Sequence, residues 1–160
     1  MTRKAIPAHR SGCPINIALE IFGDRWSLLI TRDLMVRGFR SFRDFQHAGE
    51  GIATNILADR LRRLRRAGIV EAERDPADGR QKHYGLTEKG IDLAPVLLEL
   101  LIWGAKHEQT GAPAEVMAQI SRHRDATLAE TRRRWKERDP RPLFPWLGGP
   151  GQRQAVLHGG

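Results

Sequence analysis

Thr54, Asn55, Asp59 and Arg62 lie within the stretch 51–70, GIATNILADRLRRLRRAGIV, and between them can offer every kind of hydrogen bond a heteroatom edge can use. The amide of Asn55 donates and accepts at once, the guanidinium of Arg62 donates two parallel bonds, the Asp59 carboxylate accepts, and the Thr54 hydroxyl does either. Arg63 and Arg66 add permanent positive charge of the geometry that pairs with phosphate or carboxylate. At 100° per residue from Leu61, Leu57 and Leu64 fall within about 60° of it, while Asn55, Asp59, Arg62, Arg63 and Arg66 gather on the opposite side. The spacing therefore predicts a helix with one core face and one cationic face. Thr54 or Ala53 opens it and Gly68 closes it at the C′ position, which gives about 20 Å of helix.

Alone, such a face is also what a solvated surface helix presents. The flanking elements argue for more. Ser41-Phe42-Arg43-Asp44-Phe45 reads as a short capped helix, and Gly49-Glu50-Gly51 breaks the chain before the basic helix begins. A short helix, a Gly-containing turn and a longer basic helix make a helix-turn-helix. After the basic helix, IVEAER reads as a strand, DPADG as a five-residue turn and RQKHYGL as the return strand. Arg74, Arg80 and Lys82 make this hairpin basic, as a wing beside a nucleic-acid-reading helix would be; the alternative is a hairpin with ordinary solvated charges.

Upstream, residues 1 to 12 read as a mobile arm. Ile15, Ile17, Ala18, Leu19, Ile21 and Phe22 crowd a short helix whose apolar content predicts burial on more than one side. Asp24 caps a second helix over residues 25 to 37, the scaffold under the helix-turn-helix. Downstream, the segment from Glu88 to His107 is apolar nearly all round and needs cover from both sides, which predicts that part of it packs on a second subunit; Pro95 should kink it or mark a restart. Residues 113 to 138 read as one further helix with a thin stripe of Val116, Ile120, Thr127, Leu128, Thr131 and Trp135. Residues 139 to 160, dense in Pro and Gly, read as a disordered tail. The fold class expected is mainly α with a small β-hairpin (α+β): a dimeric winged helix-turn-helix with extra N- and C-terminal helices.

The 160 residues include 27 Lys and Arg against 19 acids, a net charge of +8, with a pI near 10.7. That balance favours an anionic partner, nucleic acid before an acidic membrane surface. No apolar run approaches the roughly 20 residues of a spanning helix and no signal peptide opens the chain, so a cytoplasmic protein is expected. The single cysteine, Cys13, excludes an internal disulfide and a cysteine zinc cluster, and the 6 histidines show no metal-ligand spacing. No P-loop, GxGxxG or GxSxG is present. Neither an enzyme nor a cofactor is expected.

Several motifs together resemble the HxlR-type winged helix-turn-helix transcriptional regulators of bacteria. They are Cys13-Pro14; Gly23-Asp24-Arg25-Trp26-Ser27-Leu28-Leu29-Ile30; Phe42-Arg43-Asp44-Phe45; Gly51-Ile52; Leu57 with Arg60-Leu61 and Leu64; and Gly68-Ile69-Val70. Tyr84-Gly85-Leu86-Thr87-Glu88-Lys89-Gly90 and Leu93-Ala94-Pro95-Val96 through Trp103-Gly104 complete the set. The likeness covers roughly residues 13 to 108. It implies a homodimer on a double-stranded DNA operator, with each basic helix in the major groove and each wing near the flanking minor groove. It also departs in places. Ala53 stands where the family places a Ser, so Thr54 has to cap or contact phosphate instead. The wing reads DGRQKHYGLT rather than an RVEY-like strand, which makes Arg80 the wing arginine, with Asp78 close enough to orient it.

On this reading Ser41, Thr54, Arg63, Arg66, Arg74 and Arg80 position the protein on phosphates. Thr54, Asn55, Asp59 and Arg62 are placed to read bases: Asn suits adenine, Arg guanine, and Asp the cytosine amine. Asp59 has a plainer role as well, holding Arg62 or Arg63 at i+3 or i+4. Leu97 and Leu101 are the expected dimer contacts, or else core residues of one subunit. The competing function is a winged-helix interaction module whose basic face binds an acidic partner protein. Cys13 has two readings: a half-buried packing residue, or, as the resemblance implies, a thiol that senses oxidants or electrophiles. Lys4, His9, Arg10 and the helix N-terminus would favour its thiolate. A small-molecule or oxidant effector is compatible with the sequence, which does not identify one.

Overall fold

The computed structural model describes residues 9–147, which form α1 (Pro14–Phe22), α2 (Arg25–Val36), α3 (Phe42–Gln46), α4 (Thr54–Arg66), β1 (Val70–Arg74), β2 (Lys82–Leu86), α5 (Glu88–Ile91), α6 (Ala94–His107), α7 (Ala114–Arg122) and α8 (Arg124–Glu137). The leucine stripe of the basic segment lies at the centre. Leu57, Leu61 and Leu64 of α4 are at most 2% exposed and meet Ile30 and Leu34 of α2, Phe45 of α3, Ile69, Val70 and Leu86 of the hairpin, and Ile91. Burying each such leucine contributes about 1.5–3 kcal/mol. The cationic face of α4 is thus held outward by what its other face buries.

Caps fix where the helices begin. Asp24 Oδ1 accepts from the amides of Trp26 (2.9 Å) and Ser27 (3.0 Å) at the start of α2. Ser41 and Asp44 exchange side-chain and backbone bonds in a capping box at α3. Thr87 accepts from Gly90 N at the start of α5. At α4 the N-cap is Ala53, without a side-chain cap, and Thr54 is the first helical residue. Gly68 follows the helix with φ 73°, the expected C′ conformation.

The hairpin is antiparallel with Val70 opposite Leu86 and Arg74 opposite Lys82. Its connection runs over residues 75–81, longer than the DPADG turn expected. Asp78 draws Arg80 and Gln81 out of the strand, accepting from the Arg80 amide through its carboxylate (3.1 Å) and from the Gln81 amide through its carbonyl (2.9 Å).

Other expectations need correcting. Residues 113–138 form two helices, because His123 leaves helical geometry at φ −118°, ψ 45°. The break falls between Ile120 and Thr127, where the stripe has no large apolar residue to hold one straight helix in place. Residues 139–147 are packed, not disordered: the Leu143 amide donates to Val36 O (2.8 Å). Phe144 and Trp146 join a second cluster around Leu98, Met117 and Ile120. The Pro and Gly content hid four large apolar side chains, Leu143, Phe144, Trp146 and Leu147. Gly38, with φ 71°, lies so close to Pro140 that a Cβ would stand 2.2 Å from its carbonyl oxygen, so the segment crosses the chain just beyond the end of α2 at a point only glycine permits. The rest of the expected tail, 148–160, and residues 1–8 of the expected arm fall outside the described residues. Residues 9–12 are tied to α1 by His9 Nδ1 and Glu20 Oε2 (2.7 Å) and by the Arg10 amide on Glu20 Oε1 (3.2 Å).

Helix α1 has no buried residue, contrary to the burial on more than one side its composition predicts; Ile15 is 72% and Leu19 56% exposed. Helix α6 restarts around Pro95 as expected, buries Ala94 and Leu98, and leaves Val96, Leu100 and Trp103 exposed. Both helices therefore keep apolar surface that the other described residues do not cover.

Candidate nucleic-acid interface

The turn between α3 and α4 is strapped to α2. Arg32 Nη1 donates to Glu50 Oε1 (3.0 Å) and Arg37 Nη1 to Ala48 O (3.2 Å), while both guanidinium groups also bond the buried carboxylate of Asp33. Burial pushes the Asp33 carboxyl above its ordinary value against the pull of Arg32 and Arg37. Within the turn Gly49 and Gly51 take φ of 88° and 75°, which reverses the chain in few residues.

The first turn of α4 brings Thr54 beside Gln46 at the end of α3, with Gln46 Nε2 donating to Thr54 Oγ1 (3.2 Å). Asn55 is next and exposed, and Arg62, Arg63, Arg65 and Arg66 are exposed along the same helix. Asp59 pairs with Arg60 and, at 3.5 Å, with Arg62; the expected alternative, Arg63, is not its partner. Its negative charge is thereby offset from within the helix, and the face stays cationic. Arg63, Arg65 and Arg66 occupy the last turn, where the helix dipole favours cations.

Ser41 uses its oxygen to accept from Asp44 N (3.1 Å), which leaves its hydroxyl proton for another acceptor. In the hairpin, Arg74 and Arg80 are exposed. Asp75 supports the tip by accepting from the Ala77 amide (2.7 Å) and pairing with His83 Nε2 (3.1 Å). The Ala77 bond is the main reason its carboxyl lies below the ordinary value. Asp78 orients the Arg80 backbone rather than its guanidinium. The hairpin is joined to α3 by the Tyr84 amide on Arg40 O (2.7 Å) and the edge-on contact of Tyr84 with Phe45.

Sequence reasoning gave no site role to three residues. Arg60, quoted only for its family likeness, reaches from α4 to Asp24 Oδ1 (2.9 Å) and fixes the helix to the cap of α2. For Asp24 burial alone would raise the pKa, but the bonds from Ser27, Arg60 and the two amides outweigh it and hold the carboxyl below the ordinary value. Gln46 was legible only as a polar residue ending a short helix, and Arg65 sits about 60° outside the face drawn through Arg62 and Arg66. The Arg-rich run in α8 is occupied internally: Arg132 pairs with Asp92, Arg133 with Glu130 and Glu137, and Arg134 with Glu130. Trp135 Nε1 donates to Leu86 O (2.8 Å), so that run braces the hairpin.

Cys13 is exposed, not half-buried, and forms the N-cap of α1 without a side-chain cap bond. Leu97 and Leu101 are half-buried and line a cavity within the chain, Leu100 is exposed at its edge, and Val96 and Trp103 are the outward residues of α6. Among the described residues no cluster of His, Cys, Asp and Glu could hold a metal ion, and no helix is long and apolar enough to cross a membrane.

A three-helix core carrying a helix-turn-helix, a basic second helix and a short basic hairpin defines the winged-helix class of DNA-binding transcriptional regulators. The family model described as HxlR-like helix-turn-helix matches residues 21–112, and the chain belongs to that family. The uncharacterized HTH-type transcriptional regulator YdeP of Bacillus subtilis is 32% identical over 97 residues, 61% of this chain and 75% of its own length. The crystal structure of PA1607 superposes with a TM-score of 0.59 at 36% identity, over 66% of this chain and 72% of that one. The redox regulator HypR in its oxidized form superposes with a TM-score of 0.53 at 29% identity, over 61% of this chain and 99% of HypR.

Proposed function

We propose that this regulator binds a two-fold symmetric DNA operator as a homodimer, with α4 reading bases in the major groove and the hairpin on the flanking backbone. The observation that carries this is the exposed cationic face of α4, whose one acid, Asp59, is offset by Arg60 and Arg62. Asn55 and Arg62 are the base readers, helped by Thr54 and Asp59. Ser41, Arg63, Arg66, Arg74 and Arg80 contact phosphate, and Gln46 joins them through its bond to Thr54. Exposed apolar residues on α1 (Ile15, Leu19) and α6 (Val96, Leu100, Trp103) form the subunit contact, with Leu97 and Leu101 behind that face.

Sequencing the DNA fragments retained by the purified protein tests the reading. One motif with two-fold symmetry is expected; retention without sequence preference, or of an acidic protein instead of DNA, rejects it. Removing Arg66 should flatten the log-log salt slope by about 0.9 for each phosphate it no longer neutralises, about 2 per symmetric dimer. Asn55→Ala or Arg62→Ala should each cost about 1–3 kcal/mol per base contact and relax the preferred sequence.

A thiol response is the second element of the proposal, supported by the exposure of Cys13 and by the likeness to a redox regulator. An added oxidant such as diamide takes two electrons and two protons from two Cys13 thiols to leave an intersubunit disulfide; with a small thiol present it leaves a mixed disulfide. Operator affinity before and after diamide, in the parent and in Cys13→Ser, measures it. Unchanged affinity with Cys13 shown to be oxidised removes the sensor role.

A further inference from the structure

A cavity of about 230 Å³ lies between α2, α6, α8 and residues 144–147, walled by Leu29, Leu97, Leu101, Leu128 and Phe144, with Arg32 as its one charged side chain. An apolar cavity of about 150 Å³ is enough to take up benzene, so this one has room for a substituted single ring. Leu128, Phe144 and the other walls beyond residue 112 lie outside the stretch matched by the family model, so one side of the cavity comes from α8 and residues 144–147 and the other from α2 and α6 within that stretch.

Arg32 supplies the chemistry. Its Nε bonds Asp33 Oδ1 (2.9 Å) and its Nη1 bonds Glu50 Oε1 (3.0 Å), but Nη2 is buried with no hydrogen-bond acceptor among the described residues. Nη2 does lie 2.8 Å from Asp33 Oδ1, an ionic contact without hydrogen-bond geometry. Arg32 and Arg37 are formally balanced by Asp33 and Glu50, so the site has no surplus charge for an ionic headgroup. What is missing is a neutral acceptor, and a buried donor left without one is costly.

We propose that this cavity binds a small, uncharged, single-ring molecule carrying a carbonyl or similar acceptor, and that the acceptor engages Arg32 Nη2. Because Nη2 is covered, an acceptor reaches it only by drawing the guanidinium toward the cavity, and Nη1 is pulled from Glu50 in the process. Glu50 sits in the turn before α4, so the ligand loosens the strap that sets the angle of the basic helix. Only the consequence for DNA affinity rests on the proposed function; occupancy of the cavity and movement of the turn do not.

The test uses the full chain without DNA and two probes of nearly equal shape, acetophenone and ethylbenzene, which differ by the carbonyl. Titration followed by amide NMR should show acetophenone binding a few-fold more tightly, the surplus of the new bond to Nη2 over the bond Nη1 gives up to Glu50. Acetophenone, and not ethylbenzene, should shift the amides of Gly49, Glu50 and Gly51. Arg32→Met should bring the two probes to equal affinity, and Leu128→Trp, which fills the cavity, should abolish both. Should Leu128→Trp fail to fold, Leu97→Phe serves as the filling variant. The proposal is overturned if neither probe binds at millimolar concentration, as would follow if a second subunit occupies the space. Equal binding of both probes by the parent, a preference that survives Arg32→Met, or unchanged binding in a folded filling variant also overturns it.

Discussion

Arg60 and Arg66 are six residues apart on one basic helix, yet the structure gives them opposite duties, and substitution should separate them. The Arg60 and Asp24 side chains are 18% and 26% exposed and meet at 2.9 Å. A hydrogen bond to a charged group contributes about 1.5–3 kcal/mol when buried, and partial exposure to water reduces that here to about 1 kcal/mol. Arg60→Met should therefore lower the melting temperature by about 2–4 °C, while Arg66→Ala leaves it unchanged. Asp24→Asn keeps a cap acceptor but removes the charge, so a double-mutant cycle of Arg60→Met with Asp24→Asn isolates the tie. Urea unfolding at pH 7 should give a coupling of about 1 kcal/mol. The folded-state pKa of Asp24 lies below its ordinary 3.8, so the contribution is complete above that value and is lost as pH falls below it. A coupling under about 0.3 kcal/mol at pH 7, or one that survives to the lowest pH at which the protein stays folded, would refute the assignment.

Three other outcomes follow from the same structure. Trp103→Glu should give a folded monomer by sedimentation, because Trp103 is 59% exposed and is not among the cavity's walls, whereas a charge at Leu97 or Leu101 should unfold the chain, since it would lie unpaired in the cavity wall; a dimeric Trp103→Glu protein places the contact elsewhere. Trp135→Phe removes the donor to Leu86 O and should cost about 0.5–1.5 kcal/mol in urea unfolding, with faster amide exchange in β2; no change in either shows that α8 does not brace the hairpin. The Glu130 carboxyl, bonded first by Arg133 and then by Arg134, is pulled down to about 2. Its contribution to stability should be intact above its ordinary value of 4.5 and vanish as pH falls toward about 2, as a carboxyl-detected NMR titration will show. A titration midpoint near 4.5 means the network does not form in solution.

What could be read beforehand was whatever periodicity controls. The Leu57, Leu61 and Leu64 stripe, the Gly68 stop and the Asp24 and Ser41 caps each rest on neighbours a few residues apart, and each is found where spacing puts it; the wing strands are found too, with the second starting two residues later than the turn residues imply. Contacts between distant segments left no local mark. Nothing near Arg60 in the sequence points to Asp24, 36 residues away, and nothing in RRRWK distinguishes a face for phosphate from one already filled by Glu130, Glu137 and Asp92. Composition misreads residues 139–147 because it weighs every position equally, whereas Leu143, Phe144 and Trp146 decide where the segment goes. The exposure of α1 inverts the usual inference: an apolar helix must be covered, but one chain is not obliged to supply the cover.

The crossing at Gly38 bears on how this protein can be cut. The family model ends at residue 112, which marks a fragment trimmed there as the unit that resemblance defines. It would leave Gly38 without Pro140 above it, the Val36 carbonyl without the Leu143 amide, and Leu98 without Met117, Ile120 and Phe144. The resulting apolar surface lies on α2 and α6, the helices that also support the DNA-reading half, so the trimmed piece would be prone to aggregate before its activity could be assayed. Domain boundaries drawn from resemblance and those drawn from cooperative folding part company here by about 35 residues, and a soluble fragment should run at least to Leu147.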